Sequence, residues 1–538
     1  MSIIVTLLLL GTEVMLELWL KTTRRRYLVR NLIYSRSIFS KNICGRPRTN
    51  SVEASIRPTI RTTFSGCYSS SGLTTDSRRR LRRSPRSSES RSRPPETTET
   101  STRSSGYPNA PGGSNIKAQE TDVGAALNKA LAAVEDENDP IADRVLTTVD
   151  FNDKERLPDS LLSDLVSHFS KHRYRNEDLK DPDIFGRAYE YLIREFADDA
   201  GKKGGEFYTP REVVRLIVKC VNPEPGHRVY DPCCGSGGML IYSAEHIRKS
   251  GGDMTDISLY GQEKNLNTWA IGQMNVLLHE LYDAKIEKGD TITEPKRVTK
   301  HDELEVFDRV IANPMWNQKE WNKDWVEDNE PYNRFPYGLP PSNRGDWAWI
   351  QLMIASLNET GKAGVVMDNG VLFRSRSEKK IRKPVLEDDL VEAVIALPEN
   401  LFYNTSSPGC ILILNKDKSE EREGKVQFIY AEDQTLRESD VQVFKELSNQ
   451  NQLTDEGVEY LAETFRTGRE EDHHSRLVDL EEIEENDWNL NVPRYVDTTE
   501  PEEPIDVSEK LRELDRLAEE RQKTDEELEQ YMKELEYR

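Results

Sequence analysis

Asp231 stands directly before a glycine-rich turn in the run HRVYDPCCGSGGML, the densest chemical signal in the chain. In the turn Gly235–Ser236–Gly237–Gly238, the glycines permit positive φ and a close backbone approach to a ligand. The spacing is not G-x-G-x-x-G, so a dinucleotide fingerprint fits poorly. An acid ahead of the loop suits a ligand bearing an ammonium, as S-adenosylmethionine does, better than a pyrophosphate. Glu263, in YGQEKN, follows at about the distance where an acid accepts hydrogen bonds from ribose hydroxyls. Asp290 and Thr291, in KGDTI, stand where a third strand should end. Asp290 there receives an adenine amino group or belongs to a plain turn. The run FDRVIANPMWNQ then ends a buried strand in Asn313–Pro314. The Asn313 side-chain oxygen and the Pro314 carbonyl form a pair of acceptors for one exocyclic amino group. Such a pair aims the nitrogen lone pair at a methyl donor, and Trp316 is placed to stack on a flipped-out base.

These residues need a scaffold that gathers strand ends. Apolar runs at His227–Asp231, Ile257–Gln262, Phe307–Ala312, Ala363–Met367, Leu390–Leu397 and Cys410–Asn415 read as strands. Helical runs lie between them at Arg211–Cys220, Gly238–Lys249, Leu266–Leu278 and Asp346–Leu357. The alternation predicts an α/β fold with a mostly parallel sheet covered on both faces. The last two runs, joined without a helix, predict an antiparallel hairpin at the sheet edge. Upstream, apolar spacing at Ala125, Leu127, Leu131 and Val134, and again around Leu165 and Leu192, predicts an N-terminal helical region. His168 and His172 are one helical turn apart, but no third ligand accompanies them, so no metal site is expected.

The ends of the chain differ in texture. Residues 1–116 hold roughly 20 basic against 7 acidic residues, and the stretch from about 45 to 115 is Ser/Arg-rich without apolar periodicity. That stretch reads as disordered, or as the product of a frame-shifted or mis-started translation. The apolar run Ile3–Leu10 is broken by Glu13 and Glu17 and is too short to span a membrane. The whole chain carries a net charge of -22. That acidity does not suit a protein that holds phosphate alone; it suits a partner-dependent binder or a high-salt cytoplasm. The six cysteines lack zinc-ligand spacing and point to a reducing, cytoplasmic compartment. Residues from Asp487 to about 504 read as an extended linker. Beyond it, Leu511, Leu514, Ala518, Leu528, Met532 and Leu535 make a heptad seam on one long charged helix, read as partner-binding.

GGEFYTPREVVRLIV, DPCCGSGGML, GQEKN, ANPMW and GDWAWIQLMIASL occur in an order that resembles the modification subunits of type I restriction-modification systems. Those are N6-adenine DNA methyltransferases, and the resemblance runs from about residue 125 to the C-terminus. It implies a Rossmann-like S-adenosylmethionine-dependent sheet, with Phe207, Tyr208, Thr209 and Pro210 also touching the methyl donor. It further implies double-stranded DNA as substrate. The implied partners are a specificity subunit that reads the sequence, a second modification subunit and a restriction (motor/nuclease) subunit. The expected domains are 1–116, a helical 117–200, a catalytic 201–480, and a tail from 481 to 538. The chain departs from the pattern at Met315, where a second proline is usual, and upstream of residue 117, where apolar helices are usual. The alternatives are a protein-glutamine methyltransferase, which uses a similar Asn-Pro turn, and a catalytically impaired scaffold.

Overall fold

The computed structural model describes residues 116–136, 145–171, 184–200, 209–402, 405–448, 450–499 and 507–535. The Arg/Ser-rich segment, His172, Phe207 and Tyr208 lie outside them.

Three helices come first: α1 (Val123–Asp136), α2 (Asp159–Phe169) and α3 (Ile184–Ala200). The Asp159 carboxylate accepts from the backbone N–H of Asp122 and Val123 at 3.0 and 2.9 Å. It thereby serves the open N-terminus of α1, where an anion is favoured. The buried face of α1 is Val123, Ala126, Leu127, Ala130, Leu131 and Val134. Ala125, expected on that face, is exposed instead.

The sheet domain follows as α4 (Arg211–Val221), β1 (Arg228–Asp231), α5 (Gly238–Lys249), β2 (Ser258–Glu263), α6 (Leu266–Leu278), β3 (Lys285–Lys288), β4 (Phe307–Ala312), α7 (Lys323–Asn329), α8 (Asp346–Ala355) and β5 (Leu357–Asp368). It continues through α9 (Gly370–Phe373), α10 (Ser377–Glu387), β6 (Val391–Ala396), β7 (Gly409–Asn415) and β8 (Lys425–Tyr430). The small ribbon β9 (Phe444–Glu446) and β10 (Asn451–Leu453), α11 (Asp455–Thr467), β11 (Ser475–Asp479) and α12 (Leu480–Glu485) complete it.

The nine-stranded sheet runs β11-β8-β6-β7-β5-β4-β1-β2-β3. Strands β3, β2, β1, β4 and β5 are mutually parallel. Strand β7 is antiparallel to both β5 and β6, between which it lies. The expected edge hairpin is therefore an interior one. All seven residues of β7 and all six of β6 are buried, as two-sided packing requires. Two further strands, β8 and β11, extend the sheet beyond it. Alternate residues feed opposite cores: Ile311, Val366, Ile395 and Ile411 on one face, Val310, Val365, Val394 and Leu412 on the other.

Local signals set the ends of the helices. Asn265 caps α6 by accepting from Asn267 and Thr268 N–H, and Thr454 caps α11 through Gly457 N–H. Helix α8, DWAWIQLMIA, is apolar on all sides and buried along most of its length. The segment expected as an extended linker is packed instead. Trp488, Leu490, Val492, Tyr495 and Val496 are buried in the second core. Tyr495 stacks on Phe428 with ring centroids 4.1 Å apart. The apolar residues of NLNVPRY outweigh the polar text around them. Helix α13 (Val507–Glu534) closes the chain, with Leu511, Leu514, Leu517, Leu528, Tyr531 and Leu535 exposed.

Candidate active site

Strand β1 continues toward β2 on one side, whereas β4 lies on its other side. The order of connection reverses between β1 and β4, which opens a crevice beyond their carboxyl ends, the usual ligand position in such sheets. Asp231 ends β1 and Asn313 follows the last residue of β4. The two signals read from sequence therefore meet at this switch point.

A cavity with a free volume of about 1260 Å³, open mouth included, occupies the crevice. Thr209, Asp231, Gly235, Ser236, Gly238, Glu263, Asp290, Thr291 and Asn313 line it. Pro210, Gly237, Pro314 and Trp316, also expected at the site, are not among the residues that line it. Pro210 precedes α4 as its cap residue. Gly237 precedes α5 with φ of 78°, a conformation that an L side chain resists. Next to it, a Cβ built on Gly238 would meet nothing within 4 Å and would project into open space. The turn is thus a cradle that a side chain would fill.

Asp231 is 2 % exposed. Burial, reinforced by the charge of Glu263, pushes its carboxyl up to about 8, although the Cys233 backbone N–H opposes the shift. That N–H donates to Asp231 Oδ1 at 3.1 Å. Glu263 ends β2 and holds the Gly loop: its Oε2 accepts from Gly235 N–H at 3.0 Å and its Oε1 from Asn265 N–H at 2.7 Å. Burial raises its carboxyl as well, against those two N–H donors. Two buried acids facing one cavity make it a place for a cation or for hydroxyl donors. Cys233 and Cys234, which also line the cavity, are free thiols pushed well above the usual range by burial and these acids, which disfavours the thiolate.

At the β3 end, Asp290 is already engaged. Its Oδ2 accepts from Lys264 Nζ at 2.8 Å and Asn322 Nδ2 at 3.0 Å, and its Oδ1 from Ile292 N–H at 3.0 Å. The buried Thr291 hydroxyl donates to the Pro232 carbonyl at 2.5 Å and ties this turn to the Gly loop.

Asn313 is held from two sides. Its Nδ2 donates to Thr209 Oγ1 at 2.9 Å, and its Oδ1 accepts from Trp316 Nε1 at 3.1 Å. The same indole N–H reaches the Val366 carbonyl at 3.2 Å. Trp316 meets Phe402 edge-on, with centroids 4.7 Å apart. The ring is thus docked against the sheet end. An amide carbonyl has two lone pairs, so Asn313 Oδ1 retains one for a ligand. Met315 is 56 % exposed and lines the cavity.

Sequence reading did not single out several residues here. Phe402 pairs with Trp316, and Gly409 makes room for both: a Cβ there would lie 2.8 Å from Trp316 and 2.9 Å from Phe402. Asn275 lines the cavity from α6, its Nδ2 donating to Ser236 O at 2.9 Å and its buried Oδ1 without a partner. The signal was a polar residue inside the apolar run AIGQMNVLL. Glu190, Arg211 and Tyr242 line the N-terminal side of the cavity; nothing in their spacing distinguishes them from surface residues. Among the described residues no group of three metal-ligating side chains forms, and no helix is long and apolar enough to cross a membrane.

Residues 180–504 match the family model described as N-6 DNA Methylase. The chain is 42 % identical over 341 residues to the type I restriction enzyme MjaVIII methylase subunit of Methanocaldococcus jannaschii. That match covers 62 % of this chain and 57 % of the relative, little more than half its length. The MjaVII methylase subunit of the same organism is 38 % identical, over 74 % of this chain and 67 % of its own. Among solved structures, the type I restriction-modification system methyltransferase subunit from Streptococcus thermophilus is 28 % identical with a TM-score of 0.62. It aligns over 72 % of this chain and 80 % of its own.

Proposed function

This chain belongs to the N-6 DNA methylase family, and from that premise we propose that it transfers a methyl group from S-adenosylmethionine to N6 of adenine in double-stranded DNA. The observation that carries the reading is Asn313–Pro314 at the end of β4, beside the acid-lined cradle at the end of β1. The cradle fits the donor chemically. Buried Asp231 suits its ammonium, Glu263 its ribose hydroxyls, and the open space over Gly238 its close approach. The unpartnered Asn275 Oδ1 supplies a further acceptor. Thr209 lines the same cavity, as do Asp290 and Thr291, which border the adenine end.

S-adenosylmethionine supplies an electrophilic methyl group when bound. The protein's part is to position the acceptor. Asn313 Oδ1 and the Pro314 carbonyl accept from the two amino hydrogens, which leaves the nitrogen lone pair pointing away from the ring. Thr209 fixes the orientation of the Asn313 amide, so its oxygen rather than its nitrogen faces the base. Trp316 offers a face for stacking once its indole releases Asn313. No strong base is needed, because the nitrogen loses its proton after attack.

We further propose that the chain acts in the cytoplasm as the modification subunit of a type I complex, with a specificity subunit, a second modification subunit and a restriction subunit. The exposed seam of α13 and the net charge of -22 support delegated sequence readout. Labelled methyl donor incubated with the chain, duplex DNA and a specificity subunit tests this. Label in DNA that depends on the specificity subunit supports the reading, and label confined to protein glutamine overturns it.

A further inference from the structure

The loop that carries Asn313 and Trp316 is gripped from its far side by charged residues that the mechanism above does not use. Asp346, the first residue of α8, is fully buried. Its Oδ1 accepts from the Asn317 backbone N–H at 2.7 Å. Its Oδ2 accepts from Arg374 at 2.8 Å. The same Arg374 guanidinium donates to the Asn317 side-chain oxygen at 2.6 Å and to Asp368, at the end of β5, at 2.5 Å. Asn317 is therefore held by backbone and side chain together, and in a left-handed conformation with φ of 52°. One residue further, the Gln318 carbonyl accepts from Gly345 N–H at 3.0 Å, and Trp349 Nε1 donates to the Gln318 side chain at 2.8 Å.

We propose that Asp346 and Arg374 are positioning residues that clamp the loop after β4, through Asn317, in the geometry that presents Asn313 to the target base. The inference rests on the methyl-transfer reading of the site and deepens it. Planar guanidinium geometry is what the clamp requires: one group meets Asp346, Asp368 and Asn317 in three directions, which an ammonium on a flexible stem does not reproduce. Asn317 is one of few residue types that adopt a left-handed backbone cheaply while offering a side-chain acceptor. The clamp also gives Met315 a rigid neighbour, so the loop does not depend on a ring at that position. None of these residues touches the reacting atoms; they act through Asn317 on Asn313 and Trp316.

Replacing Arg374 strands buried Asp346 and half-buried Asp368 and endangers the fold, so the test uses Asn317→Gly in the full chain. Glycine keeps the left-handed backbone and removes only the acceptor for Arg374. Amide exchange of the 313–320 peptide, measured without DNA, is expected to quicken about tenfold while the melting temperature holds. In complex with a specificity subunit, the single-turnover transfer rate is expected to fall about tenfold, with methyl-donor affinity within about twofold of wild type. A purely structural role would not produce that split between rate and donor binding. Unchanged exchange overturns the clamp. Faster exchange with an undiminished transfer rate overturns its positioning role. If the wild-type complex transfers nothing to DNA, the activity reading fails instead, and the exchange comparison still upholds or overturns the clamp.

Discussion

Asp231 is held near pH 8 by burial and by Glu263, so in the free protein it is largely protonated at neutral pH. A ligand ammonium favours the ionised form. Donor binding then expels a proton, and affinity rises as pH rises from 6 toward 8, by up to about tenfold per unit. Calorimetry at pH 6, 7 and 8 checks this, and Asp231→Asn is expected to flatten the profile. The same raised acid binds more protons folded than unfolded, so its contribution to stability is present below pH ~4 and is lost as pH climbs through 8. Asn313→Ala is expected to cut single-turnover transfer by about a hundredfold or more while donor affinity stays unchanged, because it removes an interaction made at the acceptor only. These two residues were legible in sequence because each ends a strand beside a turn that only special residues permit. The engagement of Asp290 by Lys264 and Asn322 was not legible, since those partners lie 26 and 32 positions away.

At the scale of elements, the crevice between β1 and β4 exists because the connections reverse there, and alternating strand and helix signals were enough to foresee a parallel sheet. The placement of β7 was not legible. Periodicity marks a strand as buried on both faces, but not which neighbours bury it. Its first residue, Gly409, nonetheless matters to the site. Gly409→Ala would drive a methyl into Trp316 and Phe402. The expected cost is about 1–3 kcal/mol in thermal unfolding, with a larger loss of transfer rate than that cost explains, as the ring that stacks on the base is displaced. The packed Trp488–Val496 segment was misread because its five buried apolar residues are dispersed among polar ones. Only the tertiary structure shows that all of them enter the second core.

For the whole molecule, the exposed leucines of α13 mark a surface that water leaves unsatisfied. A chain ending at residue 499 is expected to keep methyl-donor binding and to lose co-purification with a specificity subunit; pull-down and calorimetry on the same preparation separate the two. The acidity of the chain was legible from composition, and the proposed delegated readout would account for it, since a specificity subunit would then supply the phosphate contacts. The reading of residues 1–116 as misframed text lies, Ile116 apart, outside the described residues, and translating the gene's other frames tests it directly. The central claim is the identity of the acceptor atom. Duplex DNA treated with the wild-type complex and methyl donor, digested to nucleosides and analysed by mass spectrometry, is expected to contain N6-methyladenine, absent with Asn313→Ala. Methyl groups on cytosine, or on protein with none on DNA, would contradict the account.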